Sequence, residues 1–297
     1  MPNRRPRPRI APVPNVTARE PVGIDTVPLS DLATDWTVDA AAVLILVIAT
    51  VTWLRLLRRH PSWPRSRTIA GATAIAAALV ATQSGVATHD TTSFTAHAIQ
   101  HVLLGMAVPL LAALAAPVTL VLQAADHGTR AVVRRVLRHR ATVILTQPVV
   151  GFVVFGASVV LVAFSSLLDA AAESDLVHVW LHAHLVLAGS LFLWPLVAID
   201  PVPSRPTHGG RLLLVLASVP FHTFVGVALL STDRVLFDAY ASMADQDRGA
   251  GILWASGEVL TVSVGAIVFR HWYLAEQRAG TRADRRADRD AGQPTPR

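Results

Sequence analysis

The chain has 297 residues, of which 52% are apolar and only 15% are charged, and its formal net charge is +6. A soluble protein carries about 25% charged residues, so this composition excludes an ordinary soluble domain and indicates an integral membrane protein. The absence of cysteine excludes disulfides, thiolate metal sites and thiol redox chemistry. The basic residues are all arginine and lie in tails and short segments beside apolar runs. That placement is typical of contact with anionic lipid and does not favour nucleic acid as a partner.

Seven apolar segments of about 20 residues have the length needed to cross the core of a bilayer. They cover residues 38–57, 68–87, 97–122, 143–168, 178–199, 211–231 and 249–270. Lipid offers the backbone no hydrogen-bond partners, so each segment must be helical. The predicted fold class is therefore all-α, a polytopic bundle of about seven transmembrane helices within residues 38–272. Residues 1–37 and 273–297 lack an apolar run, and we expect both to be disordered tails.

Arginine alternates between the loops and so predicts the orientation of the bundle. The first, third and fifth loops contain arginine, and the third has five between Arg130 and Arg140. The second and fourth loops have none, and the sixth is net acidic. Cytoplasmic loops carry the excess of positive charge. The odd-numbered loops are therefore expected in the cytoplasm, with the N-terminus outside and the C-terminus inside.

Two pairs of histidines occur where predicted spans begin. The third span starts with His97 and His101, and the fifth starts with His178 and His182. Residues at i and i+4 share one face of a helix, where two imidazoles can share a cation. Both spans are predicted to enter from outside, so the two pairs are expected at similar depth. A lone histidine at a helix end, such as His184, is more often structural.

Further polar groups accompany these pairs. His222 and Glu258 lie midway along the sixth and seventh spans, where ionisable groups need partners. His89 and Asp90 lie in the second loop and can extend the histidine cluster into water. Imidazoles with carboxylates suit copper, zinc or iron, and copper is the sharpest hypothesis. Met106 is predicted to lie about 140° around an α-helix from His101, on another face.

Several motifs occur in the same order as in a known family. They are His97-Ala-Ile-Gln100-His101 with Ala116-Pro117, Gly189 to Pro195 with Asp200-Pro201, Pro220-Phe221-His222, and Asp245-Gln246-Asp247 with Gly257-Glu258. Through them, residues 40–272 resemble the CtaG-type cytochrome c oxidase assembly proteins. The resemblance implies a multi-pass protein of the bacterial plasma membrane that helps to mature a copper-containing oxidase, with oxidase subunits as partners. Gln147-Pro148 departs from the pattern, because His-Pro is expected there.

The sequence and the resemblance together predict a non-enzymatic assembly factor that binds or delivers copper. The predicted metal ligands are His97, His101, His178 and His182, with His222 and Glu258 as a deeper relay or second site. Three alternatives remain open. Paired histidines on facing helices also suit a haem, a His222–Glu258 pair suits a metal or proton transporter, and a scaffold for oxidase subunits needs no metal.

Overall fold

Apolar helices account for most of the chain that the computed structural model describes, which comprises residues 27–204, 206–240 and 242–291. The helices are α1 (Leu29–Thr34), α2 (Ala40–Arg59), α3 (Arg65–Gln83), α4 (Gly85–His89), α5 (Phe94–Val102), α6 (Val108–Ala115), α7 (Pro117–Ala124), α8 (His127–Arg138), α9 (Arg140–Leu145), α10 (Pro148–Phe164), α11 (Leu167–Glu173), α12 (Asp175–Val197), α13 (His208–Leu230) and α14 (Met243–Ala291). A π-helical turn, Leu103–Ala107, joins α5 to α6. The predicted all-α membrane bundle is confirmed.

Fewer stretches are long and apolar enough to cross a bilayer than the seven predicted. Five qualify among the described residues, and they are Ala40–Arg59, Phe94–Ala124, Asp175–Val197, His208–Leu230 and Met243–Arg285. Helices α10 and α11 add a sixth if they form one span, although they are bent by 71°. The predicted span 68–87 forms α3, whose alanines, threonines and two N-terminal arginines make it less apolar than the others.

Two packed clusters hold the helices together. The larger lies between α5, α10, α12, α13 and α14 and includes the stacked rings of Phe155 and Phe192. The smaller surrounds Trp53 and Leu120 and joins α2, α3 and α7. Large apolar side chains such as Leu187 point outward on the long helices, as contact with lipid requires.

The third span bends where α6 ends. Ala116 has a φ of 55°, in the left-handed region that residues other than glycine seldom adopt. Asp200 stabilises this bend, because its carboxylate accepts hydrogen bonds from the Val118 and Thr119 amides at 3.2 and 2.7 Å. A carboxylate suits the positive end of α7. Asp200, part of the family-like motifs, therefore has a structural role.

The second, fourth and sixth loops meet at one end of the bundle. The Tyr240 hydroxyl donates to the Asp90 carbonyl at 2.9 Å, and the Ala239 amide donates to the Asp169 carboxylate at 3.1 Å. The Asp245 carboxylate accepts from the Phe94 amide at 2.6 Å. The arginine pattern predicts that these three loops lie on one side of the membrane. That this side is the outer one stays a prediction.

The structure differs from the predicted disordered tails. Leu32 in α1 is buried, Thr37 donates its amide to the Gln83 carbonyl at 2.9 Å, and Asp35 pairs with His89 at 2.8 Å. These contacts fix residues 27–37 against α3 and α4. At the other end, α14 continues as helix through residues 273–291. Residues 1–26 and 292–297, also assigned to the tails, lie outside the described residues.

Candidate metal centre

Asp90, His178 and His182 form a compact group of potential ligands, called the Asp90 group below. The two imidazoles lie on one face of α12 with ring centroids 4.3 Å apart, as their i, i+4 spacing predicts. Asp90 Oδ2 lies 2.9 Å from His178 Nε2 and 3.8 Å from His182 Nε2. One ligand atom from each residue lies within 4.8 Å of the others. Within the described chain, this is the one such group of three or more histidine, aspartate or glutamate residues.

Asp90 is held by its backbone and is buried, with 2% of its surface exposed. The Tyr240 hydroxyl donates to its carbonyl and leaves its carboxylate facing α12. Burial, with the nearby carboxylates of Asp90, Asp169 and Asp245, raises the pKa of Tyr240 well above its usual range. Tyr240 therefore remains a hydrogen-bond donor. Asp90 does not extend the cluster into water as predicted, and His89 turns away to pair with Asp35.

Gln100 connects the Asp90 group to the third span. Its Oε1 lies 2.7 Å from His182 Nε2, and its Nε2 donates to the Ala81 carbonyl at 3.0 Å. Because the amide nitrogen is committed to Ala81, the amide oxygen is the acceptor and His182 Nε2 donates. A metal ion at that nitrogen would take the place of this proton. Gln100 is fully buried, and its only signal in the sequence is its place between His97 and His101.

The four predicted histidine ligands do not form one site. His97 and His101 line a cavity of about 30 Å³ with His222 and Met106, and neither belongs to the Asp90 group. All three of these histidines are buried. Nε2 of His97 and both ring nitrogens of His222 lack a hydrogen-bond partner among the described residues. The two pairs are linked by Gln100, which lies on the helix of His97 and His101 and bonds across to His182.

The predicted pair of His222 and Glu258 is not formed. Glu258 accepts a hydrogen bond from the Thr223 hydroxyl at 2.9 Å, and the described residues show no ion pair between it and a histidine. The His222 ring packs directly over Gly257, where any β-carbon would collide with it. The side chain of Glu258 thus belongs to a contact between α13 and α14, outside the cavity.

Two other positions have structural partners. His184 lies 2.8 Å from the Ser158 hydroxyl and stacks on Trp180, in agreement with the structural role expected for it. Gln147 precedes Pro148 at the start of α10 and accepts a hydrogen bond from Ser204 at 2.9 Å. The glutamine that departs from the family pattern therefore lies away from both groups of histidines.

Comparison with known proteins supports the resemblance. Residues 48–275 match a family described as the cytochrome c oxidase caa3 assembly factor. The chain belongs to this family. The matched region contains every predicted metal ligand of this chain, and it also contains Asp90 and Gln100.

The similar curated proteins are longer than this chain. Uncharacterized proteins of Mycobacterium bovis and Mycobacterium tuberculosis are each 32% identical to it over 273 residues, and one of Mycobacterium leprae is 30% identical over 271 residues. In each case the alignment covers 86% of this chain and 41% of the relative. The chain thus spans about two-fifths of the length of these relatives. No solved structure matches it.

Proposed function

We propose that this protein is a non-enzymatic membrane assembly factor that binds copper at the Asp90 group and passes it to a subunit of cytochrome c oxidase. The observation that carries the proposal is the convergence of Asp90, His178 and His182 within 4.8 Å in a chain of an oxidase assembly family. Membership of the family supports the role in oxidase assembly. The geometry supplies the candidate ligands.

The distances in the Asp90 group suit a transition metal. Two ligands that are each about 2.0–2.1 Å from one ion stand roughly 2.9–4.2 Å apart, depending on the angle between them. The separations of 2.9 and 3.8 Å from Asp90 Oδ2 to the two imidazole nitrogens fall in this range. Imidazole and carboxylate ligands favour Cu(II) over other first-row divalent ions, because affinity rises along the series to copper.

The surroundings of the group also favour a cation that arrives from solvent. The side chains of His178 and His182 are 21% and 19% exposed, so both can be reached, while Asp90 lies beneath them. Asp39 and Asp175 lie near enough to His178 for their charges to act on it, and Asp169 bonds to Ala239 at the same end of the bundle. We propose that this end faces the outside of the bacterial plasma membrane, as the arginine pattern predicts.

The alternatives have less support. A cavity of about 30 Å³ between His97, His101 and His222 is too small for a porphyrin. A transporter that relays ions through His222 and Glu258 requires contact between the two, and Glu258 is bonded to Thr223 instead. A metal-free scaffold remains, and the experiment below separates it from copper delivery.

The test replaces His178 and His182 together by Gln in a bacterium whose own copy of the gene has been deleted. We expect the double variant to accumulate to the normal level, to lose Cu(II) when purified, and to leave the oxidase short of copper. The matched control is His184→Gln on the same helix, which should behave as wild type. If the double variant supports a normally copper-loaded oxidase, the copper proposal is wrong and the scaffold function is favoured.

A further inference from the structure

We infer that α8 is a docking site for anionic phospholipid of the bilayer, with lipid phosphates on its arginines and acyl chains against its valines. The site, called the α8 surface below, has a basic side with Arg134, Arg135 and Arg138 and an apolar side with Val132 and Val136. The inference goes beyond the proposed function, because the α8 surface shares no residue with the Asp90 group. Each of the two proposals can therefore fail without the other.

Helix α8 lies directly after the third span and is not part of the packed bundle. The span ends at Ala124, and α8 begins three residues later at His127. None of the 12 residues of α8 is buried, and none belongs to either packed cluster. A helix of this length extends about 18 Å. Because the chain has just left the apolar core of the bilayer, α8 lies at the level of the lipid headgroups.

The apolar side of α8 requires a cover that water does not provide. Successive residues of a helix are about 100° apart, so one side of α8 carries Val132, Val133, Val136 and Leu137. Val132 and Val136 are 57% and 54% exposed. An interfacial helix inserts such a side into the boundary of the acyl chains. A nucleic acid or an acidic soluble protein bound to the arginines would leave the valines in water, so membrane lipid is the occupant that suits both sides.

The basic side carries charge that the protein does not neutralise. A groove along it is lined by His127, Ala131, Arg134, Arg135, Arg138 and His139. Among the described residues, no arginine of α8 pairs with a carboxylate. Asp126 is the only acidic residue between residues 91 and 168, and its carboxylate caps α8 by accepting from the Thr129 amide at 2.9 Å. Guanidinium groups bind phosphate oxygens in pairs, so a lipid phosphate complements this side.

An apolar cleft adjoins the basic side. Its volume is about 360 Å³, and its lining consists of Leu137, Arg138, Val143, Pro201, Val202 and Pro203. The prolines belong to the loop after α12, which Ser204 bonds to Gln147 at 2.9 Å. Arg138 lines both the groove and the cleft. One lipid can therefore place its phosphate on Arg138 and the first part of an acyl chain in the cleft.

The experiment uses the full chain in a neutral detergent and measures bound lipid by native mass spectrometry. Phosphatidylglycerol is the anionic probe, and phosphatidylcholine is the lipid without net charge. We expect Arg134→Gln with Arg138→Gln to weaken phosphatidylglycerol binding about 25-fold, since each arginine near an anionic surface contributes about fivefold. Both side chains are exposed, so the thermal unfolding midpoint should stay unchanged.

The matched control is Arg278→Gln with Arg282→Gln in the exposed part of α14. These two arginines have the same spacing, but the residues around them include no large apolar side chain. We expect this control to bind phosphatidylglycerol as the wild type does. If both double variants bind it as tightly as the wild type, or if phosphatidylcholine binds equally well, α8 is not a site for anionic lipid.

A second variant separates lipid from soluble anions. Val132→Ser with Val136→Ser keeps every charge but removes the apolar side, and it should weaken phosphatidylglycerol binding on the order of tenfold, since burial of valine stabilises the complex. Inorganic phosphate at an equal phosphate concentration should not displace the lipid from the wild type. If phosphate or a short RNA displaces it, or if the serine variant binds as the wild type does, the surface serves a soluble anion and the inference is overturned. Cu(II) binding at the Asp90 group is unaffected by any of these outcomes.

Discussion

Asp90 and His178, separated by 88 positions in the chain, bring a carboxylate oxygen and an imidazole nitrogen to 2.9 Å. The contact joins the loop after α4 to the first turns of α12. Asp90 is almost fully buried, whereas the His178 side chain is 21% exposed. A buried anion is thus positioned beneath an imidazole that solvent can reach, which is an arrangement that favours the capture of a cation.

Asp90→Asn tests the contribution of this anion. The amide keeps the shape of the side chain and one acceptor oxygen but removes the charge. We expect Cu(II) affinity to fall roughly 10- to 100-fold, measured by competition with a chelator of known affinity. His89→Gln is the matched control. The His89 imidazole is next to Asp90 in the chain but pairs with Asp35 instead of the Asp90 group. Equal affinity in the Asp90 variant and the wild type would show that the carboxylate is not a ligand.

The sequence predicts the parts of this molecule that single physical rules determine. The length of a bilayer crossing predicts seven spans, and five of them, including Phe94–Ala124, are long and apolar enough in the described residues. The 3.6-residue period predicts that His178 and His182 lie together. Loop charge groups the second, fourth and sixth loops, and contacts such as Tyr240 with Asp90 bring these loops together.

Other features depend on packing between helices, which the sequence pattern does not contain. Gln100 joins three helices, because it bonds across to both His182 and Ala81. The π-helical turn changes the face on which Met106 lies. Glu258 bonds to Thr223, since these residues meet only when α13 packs on α14. The partners of Gln100 and Glu258 come from other helices, so spacing along one helix does not reveal them.

Tyr240 gives a prediction about pH. Burial raises its pKa, so the folded protein holds the phenol proton while the unfolded chain releases it near pH 10. The stability that this contributes is present below pH 10 and falls as the pH rises above it. In Tyr273→Phe, where Tyr240 is the one remaining tyrosine, we expect no phenolate absorbance near pH 10.5 until the protein unfolds. A reversible phenolate signal in the folded variant would contradict the burial of this hydroxyl.

Asp245 is expected to stabilise the start of α5. Its carboxylate accepts from the Ser93 hydroxyl at 3.1 Å and from the Phe94 amide at 2.6 Å, and it is buried. Asp245→Ala leaves these donors without partners, at a cost of about 1–3 kcal/mol. We expect a lower thermal unfolding midpoint, partly restored in Asp245→Asn. Asp247→Ala, at an exposed position two residues later, should leave the midpoint unchanged, and an equal loss in both variants would argue against this role.

Gly257 gives a prediction about how closely α13 packs on α14. The His222 ring lies against its α-carbon, and an added β-carbon would overlap the ring. Replacing glycine by alanine within a helix normally adds up to about 1 kcal/mol of stability, but overpacking a core costs roughly 1–3 kcal/mol. We therefore expect Gly257→Ala to lower the unfolding midpoint. Gly251→Ala, on the same helix with open space around its added β-carbon, should unfold at or above the wild-type temperature. Similar shifts in both variants would mean that the His222 ring does not pack tightly on Gly257.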